Sequence, residues 1–263
     1  MIKERYSGDI NHHGVDKHDS IAALRAQIAA QQGWAGHTQD KHLLGLAERA
    51  QHAAQEAGLH EVRPQTYRDG PAALGFACAL AVLAGQTRKG AIIWIAQSIS
   101  PHDFGLPYGP GLRDFGLDPR RIILVRTKDD AQALWAAEEG ARAGVAALIL
   151  QTAGPLGLVP ARRLQLAAQA RGSPLFCLRP VGGEGIGPAL TRWRVASARA
   201  QSLPLTRWSI PAWHLALERQ RRGPSIGAGL MEWNSDAHTL CLAAALGDRD
   251  APAQQTAPLR KWA

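Results

Sequence analysis

Between the short apolar run Leu59 to Val62 and a long apolar stretch from Ala72, the chain reads Arg63-Pro64-Gln65-Thr66-Tyr67-Arg68-Asp69-Gly70-Pro71. A strand, a loop and a helix in that order would place a phosphate-binding loop here. In the GxxxxGK(S/T) loop, glycines let backbone N–H groups close around phosphates, a lysine neutralises them, and a hydroxyl residue holds magnesium. Of that set only Gly70 is present. Pro71 stands where the lysine would be, which removes a cation and a backbone donor together, and Ala72 and Ala73 carry no hydroxyl. Triphosphate binding would need its cation from elsewhere, and Arg63 or Arg68 could supply it.

The second set of residues with chemical potential lies toward the C-terminus. Residues 1–160 carry 16 Lys and Arg against 16 Asp and Glu, whereas residues 161–263 carry 14 against 6, so the whole formal charge of +8 arises in the last two-fifths. Five of the eight tryptophans fall in the same segment. Arginine with tryptophan suits phosphate contact and base stacking, and equally a protein interface. The candidate contacts are Arg192, Trp193, Arg194, Trp208, Trp213, Arg221 and Arg222, with packing as the competing role for the tryptophans; Trp94 and Trp135 are expected at buried or half-buried core positions. His12 and His13 read as part of a polar arm rather than as metal ligands, and no metal or cofactor is expected. Cys78, Cys177 and Cys241 are widely spaced in apolar segments and read as buried free thiols. No secretory signal and no uninterrupted apolar run of about 20 residues is visible, so a cytoplasmic protein without a membrane span is expected.

The elements that would position these groups follow from periodicity. Residues 1–18 read as a flexible leader, and residues 19–57 as an N-terminal helical region that includes an amphipathic helix with Ile21, Leu24 and Ile28 on one face. From residue 58 to 246, short apolar strands alternate with helices, which predicts an α/β core with a mostly parallel sheet flanked by helices. The strands are expected near Leu59–Val62, Ala91–Ile95, Arg121–Val125, Val145–Leu150 and Pro174–Leu178. The helices are expected at Ala72–Ala84, from Pro110 to Phe115, from Asp129 and Asp130 to Arg142, and from Pro160. Gly182, Gly183, Gly185 and Gly187 mark a loop, after which the segments around Trp193, Trp213 and Trp233 read as half-exposed antiparallel strands. Residues 247–263 read as a disordered tail.

This order of parts resembles the RecA-like ATPase core and, more closely, the ImuA family of RecA-like proteins encoded beside bacterial error-prone polymerases. The resemblance spans roughly residues 19 to 235. It rests on Gly58-Leu59-His60-Glu61-Val62, Ala72 to Leu83, Trp94-Ile95, Gly116-Leu117-Asp118-Pro119-Arg120-Arg121, Ala133-Leu134-Trp135-Ala136-Ala137-Glu138-Glu139, Arg162 to Ala168, Thr191-Arg192-Trp193-Arg194-Val195 and Glu232-Trp233. Against the RecA pattern, the water-activating glutamate after the second strand is replaced by Ala96, Gln97 and Ser98, and the magnesium-organising aspartate after the fourth by Gln151-Thr152. Neither amide can act as a general base or hold a cation by charge. Glu61 is expected to hydrogen-bond the backbone of the following loop, and Glu138 and Glu139 to form a surface ion pair with Arg142.

Resemblance to ImuA implies a non-catalytic adaptor in the SOS response, serving error-prone translesion synthesis, mutagenesis and DNA repair within a mutasome. The implied partners are an ImuB-type polymerase homologue and an error-prone polymerase III alpha-subunit paralogue, with RecA and single-stranded DNA as further candidates. The competing readings are a DNA-stimulated ATPase, a single-stranded DNA-binding module, and a cell-division inhibitor of the SulA type.

Overall fold

In the computed structural model of the chain, the described residues are 45–97, 107–182, 187–200, 211–221 and 227–242. The expected leader, the amphipathic helix with Ile21, Leu24 and Ile28, the C-terminal tail, Gly183, Gly185, Ser98, Trp208 and Arg222 lie outside them. Residues 45–55 are helical (α1). Strands β1 (Gly58–Pro64), β2 (Ile92–Gln97), β3 (Ile122–Thr127), β4 (Ala147–Gln151) and β5 (Pro174–Leu178) alternate with helices α2 (Gly70–Thr87), α3 (Gly109–Phe115), α4 (Asp130–Arg142) and α5 (Leu158–Arg171). Four further strands follow, β6 (Thr191–Ser197), β7 (Ala212–Gln220), β8 (Ala228–Asn234) and β9 (Thr239–Leu242).

All nine strands form one sheet in the order β3-β2-β4-β5-β1-β6-β7-β8-β9. The pairs from β3 through β6 are parallel, and β6-β7, β7-β8 and β8-β9 are antiparallel. This is the α/β arrangement that the alternation predicts, with one difference. β6, expected to be wholly antiparallel, runs parallel to β1 on one edge and antiparallel to β7 on the other, so it is the last parallel strand and the start of the C-terminal extension. β9, after the turn at His238 (φ 50°), has no counterpart in the sequence reading because four residues carry too little period.

Period-2 alternation sends strand side chains to two faces. One face, with Val62, Trp94, Ile149, Phe176, Trp193 and Trp213, packs under α1 and α2; the other, with Leu59, Ile95, Leu148, Leu175 and Cys177, packs under α4 and α5. α2 with the turn before it, Tyr67–Thr87, has the length and mean hydropathy (1.4) of a membrane span, a match the sequence reading did not anticipate. Its apolar residues from Phe76 to Ala84 are buried in the core cluster that α1 and the sheet share. Gly58, at φ +142°, starts β1 where a Cβ would lie 2.6 Å from Leu190 Cδ1 and 2.7 Å from Gln165 Nε2, so only glycine lets β1 approach α5 this closely. The Gln165 side chain then accepts from the Leu59 N–H at 2.7 Å.

On β1, the fully buried His60 donates from Nε2 to the Glu56 carbonyl (2.9 Å), while Nδ1 lies 2.9 Å from the Thr191 hydroxyl. Burial disfavours the imidazolium, and the pKa is pushed down from 6.5 to about 4. As pH falls below 6.5 the unfolded chain takes up a proton that the folded chain refuses until about pH 4, so stability declines across that window. The gap corresponds to about 3 kcal/mol. Urea midpoints measured from pH 7 to pH 4 should fall accordingly, and His60→Gln should flatten the slope; an unchanged slope in the variant would refute the assignment to His60.

Candidate functional site

The loop between β1 and α2 is a single tight turn, Tyr67–Asp69, with Pro71 in the first turn of α2. Thr66 and Asp69 have capping-box spacing, which the sequence reading passed over although Thr-x-x-Asp before an apolar run is a recognisable helix start. Asp69 is 6% exposed, and both its oxygens are occupied. One accepts from the Thr66 N–H (2.9 Å) and hydroxyl (2.7 Å), the other from the N–H and hydroxyl of Ser197 on β6 (both 2.8 Å). Burial by itself would raise the carboxyl pKa; the donors from Ser197 and Thr66 outweigh it and hold the group below its ordinary value. A stable negative charge of the chain therefore sits at the N-terminal end of α2, where the helix dipole and free N–H groups would otherwise favour an incoming phosphate.

The two arginines of the loop segment do not offset that charge in the same way. Arg63, alternating with Val62, points to the opposite sheet face and pairs with Glu218 of β7 at 3.1 Å, which separates it from the α2 end. Arg68 is exposed on the turn itself. At the other two positions the glutamine amides hold structure together. The Gln97 amide donates to Asp130, whose carboxylate also accepts from the N–H groups of Ala153 (3.0 Å) and Gly154 (2.9 Å). Gln151 accepts from Trp94 Nε1 at 3.1 Å. These bonds tie the C-terminal ends of β2 and β4 to the start of α4 and to each other.

Glu61 does not bond the loop, in contrast to the sequence expectation. Alternation directs it away from α2, and it lies fully buried between Arg179, just beyond β5, and Arg192 on β6. Its oxygens accept from Arg179 Nη1 at 2.9 Å and from Arg192 Nε at 2.6 Å. One strand along the same face, Glu218 joins Arg63 to Arg194 (3.2 Å). The central strands thus carry two carboxylates bridged by four arginines. Arg179 went unremarked in the sequence, since a single arginine after a strand carries no pattern.

The C-terminal candidates separate by face. Arg192 and Arg194 lie on this polar side, with Arg194 exposed, and Arg221 is exposed at the end of β7. Trp193 and Trp213 are 0% and 3% exposed and pack on Phe76 of α2 with ring centroids 5.3 and 5.9 Å apart, so neither has a free face for a base. Trp233 stacks on Phe115 at 5.1 Å and donates to its carbonyl. Trp94 is buried as expected, but Trp135 is 66% exposed, on the side of α4 turned from the sheet. Glu138 is buried rather than superficial, because it bridges Arg142 one turn on and Arg163 of α5. All three cysteines are free; Cys78 and Cys177 are buried, with pKa values pushed up to about 12 by that burial, whereas Cys241 is partly exposed.

Among known proteins, the chain is 31% identical over 214 residues to Protein ImuA from two strains of Caulobacter vibrioides, an alignment that covers 75% of this chain and 85% of the relative. No protein-family profile matches it.

Proposed function

The chain belongs to the ImuA family, and from that premise we propose that it is a non-catalytic adaptor in the ImuA/ImuB mutagenesis system. It holds an ImuB-type polymerase homologue and an error-prone polymerase together in the cytoplasm during SOS-induced translesion synthesis. The observation that carries the non-catalytic part is Asp69. A carboxylate fixed by four hydrogen bonds at the start of α2 opposes the binding of a triphosphate there. Pro71 withholds a backbone donor at the same place, and Gln97 and Gln151 spend their amides on structural bonds. A body built this way works by presenting surfaces rather than by switching between nucleotide states.

Nucleotide binding and hydrolysis by the purified chain, with and without single-stranded DNA, test the reading together with co-purification of the ImuB-type protein at low and moderate salt. The expected result is no turnover in either condition and retention of the partner. DNA-dependent turnover abolished by Arg68→Ala would replace the adaptor by an ATPase, and failure to retain the partner would remove the adaptor altogether.

A further inference from the structure

The helices on the α4/α5 side of the sheet leave large apolar side chains in solvent along their common seam. On α4, Trp135, Glu138 and Arg142 follow one another at i, i+3 and i+7 and so share a face. On α5, Val159, Arg163 and Leu166 stand at i, i+4 and i+7 and likewise share a face. The Arg163–Glu138 ion pair, at 2.6 Å, joins the two ridges at their middle. Trp135 and Val159 therefore flank the seam one turn before that bridge, and Leu166 and Arg142 flank it one turn after. Trp135 is 66% exposed, Val159 70% and Leu166 51%, and Leu158 adds a further 63% at the start of α5. An interface rich in tryptophan, arginine and aliphatic groups has the composition of a binding hot spot.

The charges on the seam indicate what would cover it. Glu138 and Glu139 are both engaged by Arg142, and Glu138 also by Arg163. Arg162, exposed on the same side of α5, has no ion pair among the described residues. The face thus combines exposed apolar groups with three arginines against two carboxylates, an excess of one positive charge. We propose that the α4/α5 seam is the docking surface for a helix of the ImuB-type partner, one that presents an apolar ridge flanked by carboxylates. Two packed helices offer a groove between their ridges that a third helix can fill, and the carboxylates would meet Arg162. The proposal rests on the adaptor reading.

The test uses the full chain and the ImuB-type protein, with affinity measured for wild type, Trp135→Glu/Leu166→Glu, Arg162→Glu, and Glu48→Lys as a control at an exposed position of α1, on the other face of the sheet. All substituted groups are exposed, and an unchanged unfolding midpoint checks that each variant is folded. The expected result is wild-type affinity for Glu48→Lys, weakening by about tenfold or more for the double variant, and a smaller, salt-sensitive loss for Arg162→Glu. If wild type binds and the double variant binds equally well, the seam is not the surface and the adaptor reading stands. Absence of binding by wild type removes the adaptor reading, and this proposal with it. If sedimentation shows that the chain self-associates and the double variant abolishes only that, the occupant is a second copy and the proposal is overturned.

Discussion

Glu61→Gln is expected to lower the free energy of unfolding by about 3–5 kcal/mol, the range for breaking a buried ion pair by removing one partner. The cost comes from what is left behind. Arg179 is 3% exposed, and its Nε already lacks a hydrogen-bond partner among the described residues. With Glu61 neutral, its guanidinium would be buried without the carboxylate it pairs with among the described residues. Urea unfolding near neutral pH measures the effect, and a loss below about 1 kcal/mol would mean that Arg179 relaxes to solvent. A triple variant replacing Glu61, Arg179 and Arg192 by apolar residues of similar volume should recover most of the stability, since desolvating the charges costs nearly as much as their attraction returns.

The second large effect is expected at Trp193. Trp193→Ala should cost about 3–5 kcal/mol, as for other large core aromatics, because the ring is fully buried against Phe76 and its Nε1 donates to the Thr191 hydroxyl at 2.9 Å. That hydroxyl is the one facing His60, so the substitution disturbs β1 as well as α2. Affinity for single-stranded DNA, measured where the variant is still folded, should not depend on this ring. Weakened DNA binding with stability intact would reverse the assignment and return Trp193 to a stacking role.

These two residues illustrate how far the sequence could be read. The alternation of β6 was legible: Trp193 and Val195 point inward and Arg192 and Arg194 outward, as a period of two requires. Which neighbours β6 would have was not, and without the parallel partner β1 the arginines looked like a surface stripe rather than partners of Glu61 and Glu218. In α4, Asp129 was readable as a helix start and accepts from the Gln132 N–H at 2.8 Å. The burial of Glu138 was not, because it depends on α5 lying alongside.

The loop between β1 and α2 divides in the same way. The absence of the lysine and hydroxyl beside Gly70 is a property of the residues themselves, as are the apolar run of α2 and the strand–helix alternation, because backbone periodicity and side-chain type act over a few residues. The sequence by itself therefore determined the α/β class, most elements and which side chains stand beside Gly70. The tertiary structure decided strand order, and with it contacts that span 118 residues from Glu61 to Arg179, 131 from Glu61 to Arg192 and 128 from Asp69 to Ser197. Such pairings arise only when parallel strands distant in the chain become neighbours in the sheet, and no local pattern encodes which strands those are.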